Sequence, residues 1–275
     1  SDMLMPMAKG EVLTRSAAIT GLGAGTKSVT IRPGNPALPQ PAPSVQGLFT
    51  LFDEERGHPS CLIDGALLTF WKTVADSLLG ASYLAANEAK SLGVIGTGPI
   101  AKGLLEGYVT LYPELTDIRI WGRTPERARE IADAVPFPLV VCEKAEDAVR
   151  GADIITSATA SREPVIKGHW VKPGAHVDLV GAHGPEMREG DDELLSNASL
   201  FVDSRETVLE HIGELRIPLT QNVLSPTDVQ GDLYELVEGG FESPHRSEKT
   251  VFKNGGGAHL DLMMAFYCLQ LARRT

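Results

Sequence analysis

The pattern of apolar and polar positions is most regular in the middle of the chain. From Ser91 onward, short apolar runs alternate with longer stretches of helical spacing. The predicted strands are Leu92–Ile95, Ile118–Trp121, Leu139–Val141, Asp153–Ser157, His176–Val180 and Leu200–Val202, with helices ending at Tyr112 and spanning Pro125–Ala134. Strands that alternate with helices of this length form a parallel sheet covered on both faces. The pattern therefore predicts an α/β fold with a doubly wound parallel sheet.

The two ends of the chain follow a different pattern. The predicted elements near the start are a strand at Lys27–Ile31, a loop at Pro36–Pro43, a hairpin of Gly47–Phe52 and Cys61–Asp64, and a helix within Leu67–Ala86. At the other end, a short strand from Thr250 runs into Gly255-Gly256-Gly257 and a helix over about Ala258–Ala272. A length of 275 residues also favours about two domains.

Composition narrows the class of protein. Apolar residues make up 43% and charged residues 22% of the chain, which is ordinary globular usage. No apolar run approaches the ~20 residues that span a bilayer, so a transmembrane protein is not expected. The three cysteines are scattered and odd in number, which favours reduced thiols. Because no secretory signal pattern precedes the first strands, we expect a cytoplasmic location.

The net charge limits the partners. The chain carries 25 basic and 36 acidic residues, so its charge is 25 − 36 = −11, which disfavours nucleic acids and anionic membranes. A small anionic ligand therefore needs a local cationic pocket. Five histidines lack partners at metal-ligand spacing, so no metal is expected: His58, His169, His176, His211 and His245. The charged segment Glu186–Glu193 is predicted to be a solvated helix face.

The strongest chemical signal is a glycine-rich turn between a predicted strand and a predicted helix. It reads Gly96-Thr97-Gly98-Pro99-Ile100-Ala101. Gly96 permits a tight turn, Gly98 lets the backbone approach a pyrophosphate, and the small Ala101 lets helix and strand pack closely. The alternative is a glycine-rich turn in another kind of α/β protein. The context favours a Rossmann-type dinucleotide site, with Thr97, Pro99 and Ile100 beside the glycines.

The end of the second predicted strand indicates which dinucleotide is bound. A site for NAD usually presents Asp or Glu there, to hold the ribose hydroxyls. This chain instead continues from Trp121 with Gly122, Arg123 and Thr124, and Arg127 follows closely. A guanidinium offers a planar fork to a 2′-phosphate, so we predict NADPH as cofactor and NADH as the weaker one. The alternative is a helix start with solvated arginines.

A series of short motifs carries a resemblance to a known family. They are Thr26–Thr30, Asp64–Gly65, Leu68–Thr69, Lys72–Ala75, Gly96–Gly98, Trp170–His176, Val180–Ala182, Arg188–Glu189, Phe201–Asp203 and Thr250–Lys253. Each motif alone is weak, but in this order and spacing they are specific. The chain resembles the ornithine cyclodeaminase/mu-crystallin family from about Met5 to Leu271.

The resemblance implies two domains. Residues 1–88 with 250–275 would form an α+β substrate-binding and dimerisation domain built from both chain ends. Residues 89–249 would form the Rossmann-type domain that binds NAD(P). The resemblance also implies a homodimer, which fits a first domain that looks too small to close alone.

The family includes several reactions, so membership alone leaves the activity open. Two departures narrow the choice: His183 stands where cyclodeaminases carry an aspartate, and Lys72 replaces a family arginine. The segments Leu67–Thr73 and Asn254–Asp261 are similar to bacterial pyrroline-2-carboxylate reductases of the family. We therefore expect NADPH-dependent reduction of Δ1-pyrroline-2-carboxylate, or of the six-membered Δ1-piperideine-2-carboxylate, to L-proline or L-pipecolate.

Three other activities remain open on the sequence. An ornithine cyclodeaminase would form proline and ammonia from ornithine, and an alanine dehydrogenase-like enzyme would act on pyruvate and ammonia. A mu-crystallin-like protein would only bind NADPH and a small acid.

A reductase of cyclic imino acids, the activity expected first, would belong to proline metabolism, including the degradation of hydroxyproline.

The resemblance also assigns site residues. Lys27 and Lys72 are candidate anchors for the substrate carboxylate, and a surface lysine is the alternative for each. His183 follows the fifth strand of the alternating series and could protonate the imine, line the nicotinamide pocket, or lie in a loop without a role. By analogy, the residues expected near the cofactor are Thr159 and Ala160 at the nicotinamide ribose, Val180 at the ring, and Ser44 and Asn254 nearby. Asp261 matches a family aspartate at the substrate. The alternative is a carboxylate that stands at a helix start only because the helix dipole favours it there.

Overall fold

The computed structural model describes residues 1–239 and 247–274, and His245 lies outside them. The strands are β1 Asp2–Met7, β2 Gly10–Ile19, β3 Gly23–Ile31, β4 Val45–Phe52, β5 Pro59–Asp64, β6 Ser91–Ile95, β7 Asp117–Trp121, β8 Val140–Val141, β9 Ile154–Ser157, β10 His176–Leu179, β11 Ser199–Val202, β12 Val229–Asp232 and β13 Thr250–Lys253. The α-helices are α1 Gly65–Leu84, α2 Pro99–Leu111, α3 Pro125–Ala134, α4 Ala145–Val149, α5 Asp192–Ser196, α6 Arg205–Val208, α7 Gly213–Thr220, α8 Leu233–Glu238 and α9 Ala258–Ala272.

The chain divides into two compact units. Unit 1 comprises residues 1–72 and 257–275, and unit 2 comprises residues 73–256. These bounds differ from the predicted domains, 1–88 with 250–275 and 89–249. At the C-terminal bound the reason is strand pairing, because β13 lies between β10 and β11 in the sheet of unit 2. At the other bound, α1 begins in unit 1 and continues into unit 2.

Unit 1 is built on an antiparallel sheet in the order β1-β2-β3-β4-β5. The predicted hairpin is confirmed as β4 and β5, and the predicted strand at Lys27–Ile31 forms most of β3. Along β3, alternate residues from Gly23 to Val29 are buried, so Lys27 lies on the buried face. The core on that face contains Phe49, Leu51, Leu68, Leu262 and Ala265, from β4, α1 and α9.

Unit 2 contains an eight-stranded sheet in which all the neighbouring strands are parallel. Its order is β12-β11-β13-β10-β9-β6-β7-β8. The prediction of a doubly wound parallel sheet is therefore confirmed. Strands β6, β9, β10, β11 and β13 contain only buried residues, as expected for a sheet covered on both faces. The strand order reverses between β6 and β9, where open α/β sheets bind their ligands, at the carboxyl ends of the strands.

The prediction of a solvated helix face at Glu186–Glu193 is wrong. Residues 186–191 are not helical, and the short helix α5 begins only at Asp192. Glu189 is fully buried, and Arg188 is 8% exposed. Charge density alone indicated exposure, but the buried Glu189 carboxylate accepts hydrogen bonds from two neighbouring segments. Within residues 1–239 and 247–274, none of the helices combines the length and the apolarity needed to cross a bilayer.

Candidate active site

The turn between β6 and α2 has the geometry that its glycines predict. Gly96 has φ +124°, and a Cβ there would lie 2.6 Å from the Ala158 carbonyl oxygen. Its N–H donates to the Trp121 carbonyl at 2.8 Å, which fixes the turn against β7. Thr97 packs over Gly122, where a Cβ would lie 2.4 Å from the Thr97 Cγ2 atom. Glycine is therefore required at 96, whereas a side chain at 122 would have to displace that of Thr97.

Gly98 faces open space at the start of α2. It is the N-cap residue, and a Cβ built on it would meet no atom within 4 Å. The next residue, Pro99, has no N–H, and the first helical hydrogen bond runs from the Lys102 N–H to the Gly98 carbonyl. The N–H groups of Ile100 and Ala101 therefore have no acceptor within the helix, and the helix dipole favours an anion there. This turn fits a dinucleotide pyrophosphate.

The end of β7 presents cationic side chains. Arg123, Thr124 and Arg127 are exposed, and Thr124 is the N-cap residue of α3 without a side-chain capping bond. Neither guanidinium forms an ion pair with a carboxylate among the residues that the structure describes. The nearby Glu126 pairs instead with Arg129 at 3.3 Å. Two arginines are thus available to a phosphate group at this edge.

The segments after β9 and β10 lie side by side, because these strands are neighbours in the sheet. Thr159 and the exposed Ala160 follow β9, and the buried Val180 follows β10. The Val180 N–H donates to the Ser157 carbonyl at 2.8 Å. His183 is exposed, and its Nδ1 lies 2.9 Å from the Gly181 carbonyl oxygen. A carbonyl can only accept, so Nδ1 carries the proton, and Nε2 is free to exchange one with a ligand.

Glu189 is the residue in this region that sequence reasoning missed. Its carboxylate accepts hydrogen bonds from Ser157 Oγ and from both the N–H and the hydroxyl of Thr159. It also accepts the N–H groups of Gly181 and Ala182. Its place in the Arg188–Glu189 motif was the one available signal, but the surrounding charges favoured an exposed position.

Asn254, which follows β13, is anchored by its own amide. Its Nδ2 donates to the Thr73 carbonyl at 3.0 Å and to Ser77 Oγ at 2.9 Å. Ser77 in turn donates to Asp178, which also accepts the hydroxyls of Tyr108 and Thr156. Burial raises the pKa of Asp178 to about 6, although these hydroxyls and the nearby Lys253 oppose the shift. Asn254 is thereby held rigidly at the carboxyl edge of the sheet.

In unit 1, Lys27 and Asp261 form a buried ion pair. Lys27 is 2% exposed, and its Nζ lies 2.9 and 2.7 Å from the two carboxylate oxygens of Asp261. Nζ also donates to Thr69 Oγ1 at 3.0 Å. Burial lowers the pKa of Lys27 to about 8, because desolvation and the charge of Lys72 together outweigh the attraction of Asp261.

Lys72 gives this cluster an excess of positive charge. It is 6% exposed, and no carboxylate pairs with it in the described part of the chain. Its positive charge helps to lower the pKa of Lys27. Among the described residues, Lys27 pairs with Asp261 while Lys72 lies close enough to lower the Lys27 pKa, so the cluster favours a small anion. Ser44, also in unit 1, is half-buried, and its carbonyl accepts the Arg32 N–H at 2.7 Å.

The structure thus groups the predicted residues within each unit. In unit 2, the residues of the cofactor prediction other than Ser44 lie at the carboxyl ends of β6, β7, β9, β10 and β13, together with His183. In unit 1, Lys27, Lys72 and Asp261 form one electrostatic cluster. Among the described residues, no group of three His, Cys, Asp or Glu side chains is arranged to hold a metal ion.

Comparison with known proteins places this geometry in a family. The model of the ornithine cyclodeaminase/mu-crystallin family matches residues 4–273. The chain belongs to this family. The predicted family resemblance is therefore confirmed, and the fold agrees with that of solved members.

Three similar proteins illustrate the range of the family. A Δ1-pyrroline-2-carboxylate reductase of Paracoccus denitrificans is 44% identical over 270 residues, covering 97% of this chain and 85% of that protein. The structure of Thermococcus litoralis Δ1-pyrroline-2-carboxylate reductase in complex with NADH and L-proline is 28% identical with a TM-score of 0.90, covering 100% of this chain and 87% of that one. An archaeal alanine dehydrogenase dimer with bound NAD is also 28% identical with a TM-score of 0.90, covering 100% and 86%.

Proposed function

We propose that the protein is an NAD(P)H-dependent reductase of a cyclic imino acid, with Δ1-pyrroline-2-carboxylate as substrate and L-proline as product. Δ1-Piperideine-2-carboxylate, giving L-pipecolate, is the second substrate of the same class. The observation that carries this proposal is the buried cluster in which Lys27 pairs with Asp261 and lies within electrostatic reach of a second buried lysine, Lys72. Such a cluster suits a small substrate with one carboxylate. The names of the relatives from P. denitrificans and T. litoralis support the same reaction.

The lysine cluster would hold the substrate carboxylate. Lys27 has three N–H donors, and Asp261 and Thr69 are its acceptors in the structure. The remaining donor capacity of Lys27, together with Lys72, is available to an anion. Hydrogen bonds between charged groups contribute about 1.5–3 kcal/mol each in such sites. Because both lysines are already buried, little further desolvation is needed when the substrate binds.

The crevice of unit 2 would hold the nicotinamide cofactor. The bound cofactor supplies the hydride that reduces the carbon of the imine. Gly96 and Gly98 admit the pyrophosphate, while Thr159, Ala160 and Val180 would line the nicotinamide half, with Ser44 and Asn254 as further predicted contacts. Fixed orientation of the two reactants can contribute up to ~7–11 kcal/mol to the rate in favourable cases. The protein's main task is therefore positioning.

Reduction also needs a proton on the imine nitrogen. His183 is suited to this role because its Nδ1 is committed to the Gly181 carbonyl, so Nε2 can carry and release a proton. Lys27, with its lowered pKa, is a second group that can donate near neutral pH. A cyclic imine that binds already protonated would need neither. His183 also replaces the carboxylate that an α,δ-diamine would require, which disfavours ornithine as substrate.

We further propose NADPH as the preferred cofactor, a homodimer as the assembly and the cytoplasm as the location. Arg123, Arg127 and Thr124 support NADPH, since no carboxylate stands ready for ribose hydroxyls at this turn. The thiols of Cys61, Cys142 and Cys268 are all free, which favours a reducing compartment. The activity would fit proline metabolism, including the degradation of hydroxyproline.

One panel of assays tests the proposal. The purified protein is given Δ1-pyrroline-2-carboxylate, Δ1-piperideine-2-carboxylate, ornithine, or pyruvate with ammonia, each with NADPH and with NADH. We expect stoichiometric loss of reduced cofactor with a cyclic imine and none with pyruvate and ammonia. Ammonia release from ornithine without net cofactor consumption would identify a cyclodeaminase instead. Cofactor binding without turnover of any substrate would identify a binding protein.

A further inference from the structure

Glu189 joins two segments of unit 2 that follow neighbouring strands. Its Oε1 accepts hydrogen bonds from Ser157 Oγ at 2.6 Å, from the Thr159 N–H at 2.7 Å and from Thr159 Oγ1 at 2.8 Å. Its Oε2 accepts from the Gly181 N–H and from the Ala182 N–H at 3.3 Å. One oxygen thus holds the segment after β9, and the other holds the segment after β10.

These two segments touch each other closely. A Cβ on Gly181 would lie 2.0 Å from the Thr159 carbonyl oxygen, 2.2 Å from the Thr159 nitrogen and 2.7 Å from Glu189 Oε1. No side chain larger than hydrogen fits at residue 181, and the carboxylate joins the two segments in addition to the Val180 N–H bond to the Ser157 carbonyl. We expect a change in the hydrogen bonding of the carboxylate to alter the separation between Thr159 and Gly181.

The donor pattern favours an ionised carboxylate. Three of the five donors are backbone N–H groups, which cannot accept, so an amide NH2 in place of either oxygen of Glu189 would face at least one of them. Burial raises the pKa of Glu189, while the charge of Lys253 and the bonds from Ser157 and Thr159 oppose that rise. Lys253 is itself fully buried, and its Nζ donates to the Leu179 and Asn254 carbonyls at 2.9 and 2.6 Å. It supplies positive charge to Glu189 through space.

A second buried carboxylate, that of Glu214, fixes the main chain at Glu189. Glu214 accepts the Glu189 N–H at 2.8 Å and the Gly190 N–H at 2.9 Å. Burial raises the pKa of Glu214 to about 7, although Lys253 opposes this shift. The main chain of Glu189 is therefore held as firmly as its side chain. Such an arrangement is costly in a protein interior, and a purely apolar contact would fill the same space more cheaply.

We propose that Glu189 is a positioning residue that sets the separation of the Thr159–Ala160 and Val180–His183 segments, and thereby the position in which the nicotinamide binds. It acts through these segments and does not itself touch the cofactor. This inference rests on the proposed function, because it assumes that the nicotinamide half of the cofactor binds at these segments. It makes no claim on the pyrophosphate turn at Gly96 or on the arginines after β7.

The test is Glu189→Gln, which keeps the size of the side chain but places an NH2 group against one set of donors. We expect kcat with the cyclic imine to fall about 10- to 100-fold, the loss that small misplacements of reactants cause. Affinity for the whole reduced cofactor should fall. Affinity for ADP-ribose should stay unchanged, and the 2′-phosphorylated form is used if NADPH proves to be the preferred cofactor. A merely structural role would weaken both ligands in equal proportion or neither of them.

Two further variants complete the experiment. Ser157→Ala removes one buried donor and should shift the same quantities in the same direction by a few-fold, which decides the matter if Glu189→Gln does not fold. Glu186→Gln changes an exposed carboxyl of the same charged segment, whose side chain is 73% exposed, and should leave every value at the wild-type level. Wild-type kcat and cofactor affinity in both Glu189→Gln and Ser157→Ala would overturn the inference.

The inference and the proposed function fail in different ways. If the wild-type protein does not reduce any imine, the proposed reaction is wrong, but the comparison of whole cofactor with ADP-ribose still tests Glu189. If the wild type reduces the imine and Glu189→Gln does so equally well, only the positioning role is wrong.

Discussion

Lys27 stands on the buried face of β3, where its ammonium group faces Asp261 and is repelled by Lys72. Burial makes the protonated form less stable and brings the pKa of Lys27 to about 8. The charge state of the proposed carboxylate anchor is therefore sensitive to its two neighbours. This sensitivity can be measured by changing one neighbour at a time.

Asp261→Asn should move the alkaline limb of the rate profile to lower pH. Asp261 favours the charged form of Lys27, so its removal lowers the Lys27 pKa further below about 8. The kcat/KM for the cyclic imine, measured from pH 6 to 10, should then begin to fall earlier than in the wild type. Lys72→Met should shift the limb in the opposite direction, because it removes a repelling charge, while it also raises KM.

An exposed carboxyl supplies the matched control for this pair. Asp133→Asn, on the outer face of α3, should leave the profile unchanged. If Asp261→Asn and Lys72→Met both shift the limb in the same direction, Lys27 is not the group that titrates.

Arg123→Ala should change cofactor preference more than overall activity. A guanidinium that holds a 2′-phosphate contributes only to NADPH binding, so we expect KM for NADPH to rise about 10- to 100-fold, in line with ~1.5–3 kcal/mol for a charged hydrogen bond. KM for NADH should change little. Arg129→Ala, in an arginine that already pairs with Glu126, is the control. Equal effects on both cofactors would show that Arg123 does not contact the phosphate.

Single residues differ in how far the sequence could predict them. The Gly96 and Gly98 positions follow from the turn that they must form, and the structure has that turn. Lys27 could be anticipated because it interrupts the buried side of an alternating strand. Glu189 could not, because its donors lie in two segments, one about 30 residues away and one seven to eight residues away, that follow different strands and meet only in the folded sheet. Whether a charged residue is buried depends on such partners, and the composition of the surrounding sequence does not indicate which partners it will have.

At the scale of elements, the regular part of the chain was predicted well. Helix α3 has its predicted bounds, and β6, β7, β9 and β10 lie within a residue or so of theirs, since each combines a short apolar run with a clear stop. No individual element was predicted over strands β1 and β2. All six residues of β1 are exposed, so apolar alternation gives no sign of which face is buried. The parallel position of β13 between β10 and β11 depends on long-range pairing that no local pattern encodes.

The amino ends of β6 and β9 are clamped by Asp153. It accepts the N–H groups of Lys90 and Ser91 at 2.8 and 2.9 Å, the Ser91 hydroxyl at 2.8 Å and the ammonium of Lys172 at 2.5 Å. Burial alone would raise the pKa of Asp153, but these hydrogen bonds lower it to about 2. The clamp therefore favours the ionised carboxylate in the folded state.

Asp153→Asn should destabilise the protein in a pH-dependent way. The folded-state pKa lies below that of an unfolded chain, ~3.9, so the stabilisation is fully present above about pH 4 and is lost as the pH falls towards 2. We expect a loss of about 1 kcal/mol in the free energy of unfolding at pH 7, because solvent screens this partly exposed group. Urea unfolding at pH 7 and pH 3 measures it, with Asp133→Asn as control. A difference between variant and wild type that grows at pH 3 would contradict the clamp.

At the scale of the whole molecule, the proposed chemistry is divided between two units. The lysine cluster belongs to unit 1, which both chain ends build, and the dinucleotide turn belongs to unit 2. Both proposed ligands are anions, whereas the protein carries a net charge of −11. Local cations must therefore act against the field of the rest of the chain, and higher salt should weaken that opposing field.

Unit 1 leaves apolar side chains exposed on the face of its sheet opposite Lys27. Leu48 on β4 and Leu62 on β5 are 52% and 64% exposed, and Met3 and Met5 on β1 are 52% and 42% exposed. The register places all four on one face, because Thr50 pairs with Leu62 and Met3 pairs with Thr14. Exposed apolar groups that share a face are typical of subunit interfaces. The archaeal relative with the same fold is described as a dimer.

We therefore expect the protein to form a dimer in solution, with a mass by sedimentation or light scattering of twice the 29.5 kDa of the chain. Leu48→Lys combined with Leu62→Lys should give a monomer, because an interface that buries a leucine gains about 1.5–3 kcal/mol from it and a buried unpaired lysine costs more. Leu111→Lys, at an exposed leucine of α2 in unit 2, is the control and should leave the dimer intact. A wild-type monomer at micromolar concentration, or a dimer that survives both lysines, would show that this face is not the interface. Because Lys27 lies on the opposite face of the same sheet, the monomeric variant would also reveal whether the lysine cluster keeps its affinity for the substrate once the dimer is lost.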